Sequence, residues 1–328
     1  MVTVPSRSKG VDLIGDVHGC ALTLISLLET LGYQKKNGVY RHPTRTVLFL
    51  GDVVDRGPRI REALHIVRDM VDAGAAQMLM GNHEYNVLCY STRSRPGSDH
   101  PYLREHSPRH TRLVKETLEQ FANYSSEWHE FLEWFYTLPL FIESDRFRAV
   151  HACWDCELID TFREKYQSSC IDEDFLHASV VKDSFAGQVM DRLLRGTDMR
   201  LPDGEVIVGK DGLSRKFFRT KFWSDEPRTY QDIVFQPDPL PETLVNRRLS
   251  AIERRQLLKY DADQLPVFVG HYWMSGTPAP ITPNIACLDY SAVKYGKLAA
   301  YRMDGERFLD KNKFVWVDVI RQECVPIA

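Results

Sequence analysis

The 328-residue chain has no apolar run approaching the ~18 residues that span a bilayer, and its first ten residues lack the apolar core of a secretory signal. We therefore expect neither a membrane span nor export. An excess of one charge is also missing, because 42 Lys and Arg stand against 45 Asp and Glu, a formal net charge of −3. Bulk charge thus gives no support for a nucleic-acid partner. Seven cysteines, an odd number, fit reduced thiols in a cytoplasmic protein.

The first ninety residues alternate short apolar runs with amphipathic stretches. Strands are predicted at 11–14, 46–50 and 77–80, and helices at 21–31 and 60–71. Strand and helix alternate along the chain, which predicts a βαβαβ unit with parallel strands and right-handed crossovers.

We expect one domain over 1–328 with two insertions. A polar loop and two helical patterns at 91–137 predict a helical cap or lid, because insertions at strand ends border a binding site. A packed accessory bundle is the alternative. Residues 156–262 are expected to form a variable insert that contains a basic helix at 247–260. Apolar runs predict further strands at 147–150, 267–270, 285–288 and 297–301.

Polar residues follow the predicted strands at the points where the strands end. The three early strands lead into GDVHG at 15–19, GDVVDRG at 51–57 and GNHE at 81–84, and two later strands end at His151 and His271. In an open α/β sheet the carboxyl ends of the strands form the crevice where ligands bind. These side chains are therefore expected to meet in one place.

The residues at the strand ends suit a metal site. Asp16 and His18 are two positions apart, and residues i and i+2 of an extended segment face the same way, so both can grip one ion. Asp, His and Asn ligands suit Mn, Fe or Zn, not Cu(I) or an iron–sulfur cluster. Six ligands exceed one tetrahedral site but suffice for two ions about 3.5–4 Å apart that share a carboxylate. The candidates are Asp16, His18, Asp52, Asn82, His151 and His271.

In order and spacing, the three motifs and the two separated histidines closely resemble those of the calcineurin-like metallophosphoesterases. Within that family they look like the branch of the serine/threonine protein phosphatases and the bacterial bis(5'-nucleosyl)-tetraphosphatases. The resemblance is dense over 11–90 and resumes at 147–155 and 266–302. It implies an α/β (α+β) fold, a four-layer αββα sandwich of two mixed β-sheets flanked by helices.

The resemblance also implies a role for each matching ligand. Asp16 and His18 resemble the ligands of a first metal, and Asp52 resembles the bridging carboxylate. Two ions are implied, with Mn²⁺ preferred and Fe or Zn as alternatives, since such a ligand set accepts all three. The ligands of the second metal correspond to Asn82, His151 and His271.

Further residues resemble the catalytic groups of the family. His83 resembles the general acid, Asp55 the carboxylate that orients it, and Arg56 the guanidinium that clamps phosphoryl oxygens. Asn82 is also expected to contact substrate. Phosphatases of this branch use a second, later arginine, and Arg192 and Arg195 are the candidates, with Arg215 and Arg219 as alternatives.

Two departures from the family pattern concern aromatic residues. Trp273 stands where many metallophosphoesterases place the second histidine of Gly-His-x-His, which disfavours the nuclease-like and cyclic-nucleotide-esterase-like branches. Trp154 and Trp273 are expected near the crevice, where they would limit access or stack an adenine. The pair Cys153 and Cys156 is interpreted as two reduced thiols, because no second C-x-x-C accompanies it.

The implied reaction is hydrolysis of phosphate monoesters, on a phosphoprotein or a small molecule, by direct attack of a metal-bridged hydroxide. The first alternative is a dinucleoside polyphosphate substrate such as diadenosine tetraphosphate, which the loop arginines and tryptophans favour. A polynucleotide-end phosphatase is a third option that the net charge does not support. A catalytically inactive regulatory module would have lost a ligand or His83, and each of these positions holds the expected residue type.

Overall fold

The computed structural model of the protein describes residues 10–208, 214–235 and 240–323. The predicted domain also includes 1–9, 209–213, 236–239 and 324–328, which lie outside the described residues. Within the described ranges, no helix is both long enough and apolar enough to cross a membrane.

Strands and helices alternate at first and then follow in runs. The strands are β1 Gly10–Ile14, β2 Gln34–Lys36, β3 Val39–Arg41, β4 Arg45–Phe49, β5 Ala76–Met78, β6 Phe141–Glu143, β7 Arg148–Val150, β8 Thr197–Arg200, β9 Ile207–Val208, β10 Ser214–Arg215, β11 Phe217–Thr220, β12 Val267–Val269, β13 Ile285–Cys287, β14 Asp289–Tyr290, β15 Lys297–Met303 and β16 Phe314–Asp318. The helices are α1 Ala21–Thr30, α2 Ile60–Asp72, α3 Asn82–Ser91, α4 Pro108–Phe121, α5 Ser125–Phe135, α6 Cys156–Tyr166, α7 Glu173–Ser179, α8 Phe185–Arg195, α9 Tyr230–Ile233, α10 Glu242–Val245 and α11 Ala251–Gln256.

Two mixed β-sheets form the centre of the molecule. The first has the order β14-β15-β1-β4-β5, with β16 also paired to β15. In it β1, β4 and β5 run parallel, and β15 is antiparallel to β1. The second has the order β13-β12-β7-β6, in which β6 alone is antiparallel to its neighbour. The parallel βαβαβ unit predicted for the first ninety residues is confirmed.

Apolar residues cover both faces of each sheet, because successive side chains of a strand point to opposite sides. In β4, Leu48 belongs to a cluster that it shares with Phe147 and Phe268 of the second sheet. Its neighbours Val47 and Phe49 belong to a different cluster, which contains the buried residues of the helices. One core thus lies between the sheets and the other lies under the helices, so the four-layer sandwich predicted from the motifs is confirmed.

The structure differs from the predicted elements in several places, among them strand β16 and helix α6, which the sequence analysis did not predict. A hairpin of β2 and β3 follows α1, and its exposed polar residues give no apolar alternation to detect. The basic helix predicted at 247–260 shrinks to α11, whose capping box at Ser250 and Glu253 fixes its start. The long insert also carries a small core of its own, because a separate cluster joins residues between Leu201 and Leu249.

A late segment of the chain caps the first helix. Cys20, the residue before α1, offers no side-chain cap, which leaves the amides of the first turn without an intrahelical partner. The buried carboxylate of Glu323 accepts hydrogen bonds from the Leu22 and Thr23 amides at 2.7 and 2.8 Å and from the Thr23 hydroxyl at 2.6 Å. A residue 301 positions away thus completes the helix that follows the GDVHG loop.

Replacing Glu323 by Ala should lower the free energy of unfolding by about 2 kcal/mol, because two helix amides and a hydroxyl lose their buried acceptor. The matched control is Glu164→Ala, since Glu164 is exposed near the end of α6. Urea unfolding followed by circular dichroism measures both. Equal midpoints for the two variants would show that the cap contributes nothing.

Candidate metal centre

The polar loops converge at one edge of both sheets. The loops after β1, β4 and β5 leave the first sheet at the carboxyl ends of parallel strands, and those after β7 and β12 leave the second sheet in the same way. Parallel strands deliver their carboxyl ends to a common side. The predicted meeting of GDVHG, GDVVDRG, GNHE, His151 and His271 is therefore observed, and nearly all these polar side chains are buried.

Left-handed backbone is concentrated in these loops. His18, Asp52, Asp55, Arg56 and His271 have φ values of 43, 54, 66, 69 and 63°. A non-glycine residue in this region costs of order 1–2 kcal/mol, and such strain persists only where the surroundings hold it. The left-handed backbone lowers the stability of these loops, and the same loops bury most of their polar side chains.

The Asp52 carboxylate lies at the centre of the cluster. Its Oδ2 atom is 3.3 Å from His151 Nε2, 3.8 Å from His18 Nε2 and 4.0 Å from His83 Nε2. The potential ligand atoms form two groups. Within each group all the atoms lie within 4.8 Å of one another, and both groups contain Asp52. The first group is His18, Asp52 and His83, and the second is Asp52, His151 and His271. This sharing is what a pair of cations bridged by one carboxylate requires.

Hydrogen bonds to backbone carbonyls determine which ring nitrogen of His18 and of His151 faces Asp52. His18 Nδ1 lies 2.9 Å from the Val54 carbonyl, and His151 Nδ1 lies 2.7 Å from the Leu50 carbonyl. A carbonyl only accepts, so each Nδ1 carries a proton, and Nε2 is the nitrogen that each ring turns toward the cluster. Metal-binding histidines use this arrangement, in which a backbone carbonyl sets the tautomer.

Asn82 and Asp16 lie beside the second group. Asp16 belongs to neither group, so its role as a ligand of the first metal with His18 stays a prediction. The Asn82 Oδ1 atom lies 2.6 Å from His271 Nδ1 and 3.1 Å from His151 Nε2. Both carboxylate oxygens of Asp16 accept from the His271 amide, at 3.2 and 3.3 Å. His271 Nε2 is buried and has no hydrogen-bond partner among the described residues. A buried nitrogen left in this way is suited to a metal ion.

The electrostatics of the cluster favour bound cations. Burial, and next the Arg56 guanidinium, hold the pKa of His18 well below its usual value; burial, and next Arg219, do the same to the pKa of His271. Burial, and next the charge of Asp289, raise the pKa of Asp16. Neutral imidazoles and crowded buried carboxylates form a donor set that a positive ion stabilises. The His and Asp clusters are consistent with a dinuclear metal site.

The contact between Asp52 and His151 shifts the pKa of each group in the direction opposite to the effect of burial. Burial acts to raise the pKa of Asp52, but the facing imidazoles, His151 foremost, lower it well below its usual range. Burial likewise acts to lower the pKa of His151, and the Asp52 carboxylate raises it to about 10. Each group thus favours the charged form of the other.

Glu84, the last residue of GNHE, supports the loop instead of facing the cluster. Its carboxylate accepts from the amides of Gly81 and Asp52 at 2.9 and 2.8 Å, and from those of Val53 and Val54 at 2.8 and 3.2 Å. Four amides on one carboxylate bind the second motif to the third. The absence of a side chain at Gly81 is required, because a Cβ there would overlap the Asp52 carboxylate.

A buried chain of contacts leads to His83. Asp55 Oδ2 lies 2.6 Å from His83 Nδ1, and Arg56 Nη2 lies 3.0 Å from His83 Nε2. The other oxygen of Asp55 accepts from the Thr117 hydroxyl, which in turn accepts from the Asp55 amide at 3.0 Å. Thr117 belongs to α4 of the 91–137 insert. Nothing in the sequence distinguishes it from other buried threonines in amphipathic helices.

The two predicted late arginines contact acidic and amide groups that are not among the candidate ligands. Arg192 Nη1 pairs with Asp155 Oδ2 at 3.0 Å. Arg195 pairs with Asp191 at 2.7 Å and also donates to Asn86 Oδ1 at 3.1 Å, one turn beyond Asn82 on α3. Their assignment as phosphate ligands stays a prediction.

Burial corrects one expectation and adds one residue. Trp154 was expected near the crevice as a stacking surface, but it is 2% exposed and packs against Phe141 and the Arg148 guanidinium. It therefore cannot stack a ligand, whereas Trp273 is 39% exposed. Asp289, which the sequence did not single out, is buried on the outer strand β14 of the first sheet, and its charge acts on Asp16.

Comparison with known proteins agrees with this site. The model of the calcineurin-like phosphoesterases matches residues 11–272, so the chain belongs to that family. The chain is 47% identical over 73 residues to an asymmetrical bis(5'-nucleosyl)-tetraphosphatase PrpE of Halalkalibacterium halodurans, which is 22% of this chain and 30% of that protein. To the protein of the same name from Oceanobacillus iheyensis it is 33% identical over 133 residues, 40% of this chain and 50% of that protein. The matched segments thus span half or less of these curated relatives.

A solved structure gives a distant likeness. A protein serine/threonine phosphatase from Saccharomyces cerevisiae is similar over 98% of this chain and 82% of its own, with 14% identity and a TM-score of 0.48.

Replacing Glu84 by Gln should weaken both fold and site. The amide group would turn a donor toward amides that need an acceptor, so we expect the free energy of unfolding to fall by at least about 2 kcal/mol. Bound metal per chain should also fall, because the Asp52 loop loses its support. Urea unfolding in EDTA and elemental analysis after Mn²⁺ loading measure the two effects. The exposed Glu62→Gln is the control, and wild-type values for Glu84→Gln would contradict the role of this contact.

Proposed function

We propose that this chain is a metal-dependent phosphatase that hydrolyses phosphate monoesters by direct, in-line attack of water. The observation that carries the proposal is the Asp52 carboxylate shared by two ligand groups, one of which also contains His83, the partner of Asp55. Two ions, Mn²⁺ by preference and Fe or Zn as alternatives, would be held by Asp16, His18, Asp52, Asn82, His151 and His271.

Bound ions of this kind lower the pKa of water and offset the negative charge of a phosphoryl group. Arg56 supplies a planar fork of donors that matches two phosphoryl oxygens. Its Nη2 atom already lies 3.0 Å from His83 Nε2, so guanidinium and imidazole face the same space. Arg56 would orient the phosphoryl group, and Asn82 would contact one of its oxygens.

His83 would protonate the leaving group. Water attacks phosphorus and gives up a proton, and the bond from phosphorus to the leaving oxygen breaks. His83 Nε2 accepts from Arg56 in this structure, so it would take up a proton when Arg56 turns to the phosphoryl group, and would pass that proton to the leaving oxygen. Asp55 holds Nδ1 at 2.6 Å, which orients the ring so that Nε2 faces the site. Thr117 fixes the second oxygen of Asp55, so the insert at 91–137 acts as a cap that supports the acid.

A second substrate class is a dinucleoside polyphosphate, cleaved at a phosphoanhydride. Two observations favour it: the names of the partial relatives and a cleft with several arginines beside the cluster. The same residues would act in both reactions, since the attack at phosphorus is common to them.

Replacing His83 by Ala should reduce turnover of alkyl phosphates about 10²–10⁴-fold, the usual contribution of a general acid. Turnover of p-nitrophenyl phosphate should fall less, because p-nitrophenolate leaves without a proton. The measurement is kcat for both substrates with metal content determined in parallel. His129→Ala, on the exposed face of α5, is the control. Equal losses on both substrates at full metal content would contradict the acid role.

The substrate class is tested by one turnover assay with added Mn²⁺. The substrates are p-nitrophenyl phosphate, a phosphoserine peptide, a phosphotyrosine peptide and diadenosine tetraphosphate. We expect monoester turnover that EDTA abolishes. Fast cleavage of diadenosine tetraphosphate with poor monoester turnover would select the second class. No turnover of any substrate at full metal content would overturn the proposal.

A further inference from the structure

Asp289 lies where the chain passes from the second sheet to the first. β13 ends at Cys287 in the second sheet, and β14 begins at Asp289 in the first. The side chain of Asp289 is 5% exposed. The proposed function gives it no role, yet burying a carboxylate is costly unless a counter-charge or hydrogen-bond donors accompany it.

The backbone before Asp289 contacts the GDVHG loop. A Cβ at Gly15 would lie 2.1 Å from the Leu288 carbonyl oxygen, so only glycine allows the two backbones to come this close. Each of these residues directly precedes a carboxylate, Asp16 in one segment and Asp289 in the other. Burial, and next the charge of Asp289, raise the pKa of Asp16, as expected for two carboxylates at short range.

The loop that carries His271 contacts Asp289 from the other sheet. The Leu288 amide donates to the Val269 carbonyl at 2.8 Å, and the Met274 amide donates to the Asp289 carbonyl at 2.9 Å. His271 lies between Val269 and Met274 in the sequence. The backbone of Asp289 is thus fixed against the loops of two candidate ligands, one from each sheet.

The Asp289 carboxylate has few partners. An ionised carboxylate can accept about four hydrogen bonds. The Ser291 amide donates to Oδ1 at 2.8 Å, and no other donor among the described residues contacts either oxygen. Within the described ranges it also forms no ion pair. Burial raises the pKa of Asp289, although the Ser291 amide and next the charge of Arg56 act in the opposite direction.

A cation would remove this imbalance of charge. Asp52 has His151 at 3.3 Å, whereas neither Asp16 nor Asp289 forms an ion pair with a residue that the structure describes. The two carboxylates therefore repel each other. The buried Nε2 atom of His271 likewise has no hydrogen-bond partner in the described part of the chain. Carboxylate oxygens and an imidazole nitrogen are ligands that divalent ions such as Mn²⁺ accept.

The position of Asp289 indicates how it would act on such an ion. It belongs to neither of the two groups whose ligand atoms lie within 4.8 Å of one another. Polar residues just outside the direct ligands hold a metal ion through its water or through those ligands, and their loss typically weakens metal binding about 10–100-fold.

We propose that Asp289 is a further residue of the metal centre, which binds the ion at Asp16 through an intervening water and sets the affinity for that ion. Asp289 is a positioning residue, because it contacts neither the substrate nor the reacting atoms. The inference rests on the proposed function, which assigns Asp16 to one of two ions. It adds to the site a carboxylate that lies outside the three sequence motifs.

The first test is a Mn²⁺ titration of metal-free protein in competition with a chelating dye. In Asp289→Asn the Kd of one ion should rise about 10–100-fold and that of the other less than about threefold, because only one ion lies at Asp16. The matched control is Asp318→Asn, at the exposed end of β16, which should change neither Kd. Unchanged Kd values for both ions, or equal rises for both, would overturn the proposal.

Urea unfolding distinguishes this role from a purely structural one. Asparagine keeps an acceptor for the Ser291 amide and removes the repulsion with Asp16, so the midpoint of Asp289→Asn in EDTA should equal or exceed that of wild type. The increase in midpoint on adding Mn²⁺ should be smaller than in wild type, because an ion that binds more weakly stabilises less. A lower midpoint in EDTA with a wild-type increase on adding Mn²⁺ would show a structural role and overturn the proposal.

A second neutral variant, Asp289→Ser, guards against a defect specific to asparagine and should give the same two results. If neither variant folds in EDTA, Asp289 is needed for the fold itself and the proposal fails.

The outcomes separate this inference from the proposed function. If wild type binds two Mn²⁺ and hydrolyses p-nitrophenyl phosphate, but Asp289→Asn binds both ions equally well, the inference fails alone. If the variant loses affinity for one ion as expected but wild type hydrolyses no phosphate ester, the proposed function fails and the inference stands. If wild type binds no Mn²⁺, both fail.

Discussion

The buried carboxylate of Asp52 is the group around which the rest of the site is arranged. Three imidazole nitrogens lie within 4.0 Å of one of its oxygens, in a place closed to water. Burying a charge is costly unless it is paired, and here His151 provides the counter-charge. The remaining donors, with low-pKa imidazoles and the crowded Asp16, are balanced only when positive ions join them. The site is thus built for cations before any substrate is considered.

Hydrogen bonds from the surrounding fold offset the backbone strain in the loops of the site. Five loop residues of the site adopt left-handed backbone, and the loops keep that shape because neighbouring groups hold their amides. The Glu84 carboxylate accepts from four amides of these loops, and the Thr117 hydroxyl accepts from the amide of Asp55. The strained loop backbone at the site therefore persists because these hydrogen bonds hold it.

Much of the fold and site could be predicted because the information is local. The motifs around Asp16, Asp52 and Asn82 sit within a few residues of strands with clear apolar runs, so their convergence follows from parallel topology. Contacts between distant segments could not be predicted. Thr117 looks like an ordinary helix residue, and the burial of Trp154 depends on packing against Phe141. Short and irregular elements such as β2 and β3 leave no periodic signal.

The contact of Glu323 with the first turn of α1 has a consequence for the order of events during synthesis. Strand β1 lies between β4 and β15, and β15 and Glu323 are made only at the end of the described chain. A growing chain on the ribosome can pair β1 with β4 and β5 early, but one edge of β1 and the start of α1 wait for some three hundred further residues. The GDVHG loop between them can bond early to the carbonyls of Asp52 and Val53, but the Gly15 amide waits for Ala299. Ligands placed by this loop would then reach their final positions only after β15 and Glu323 have been made.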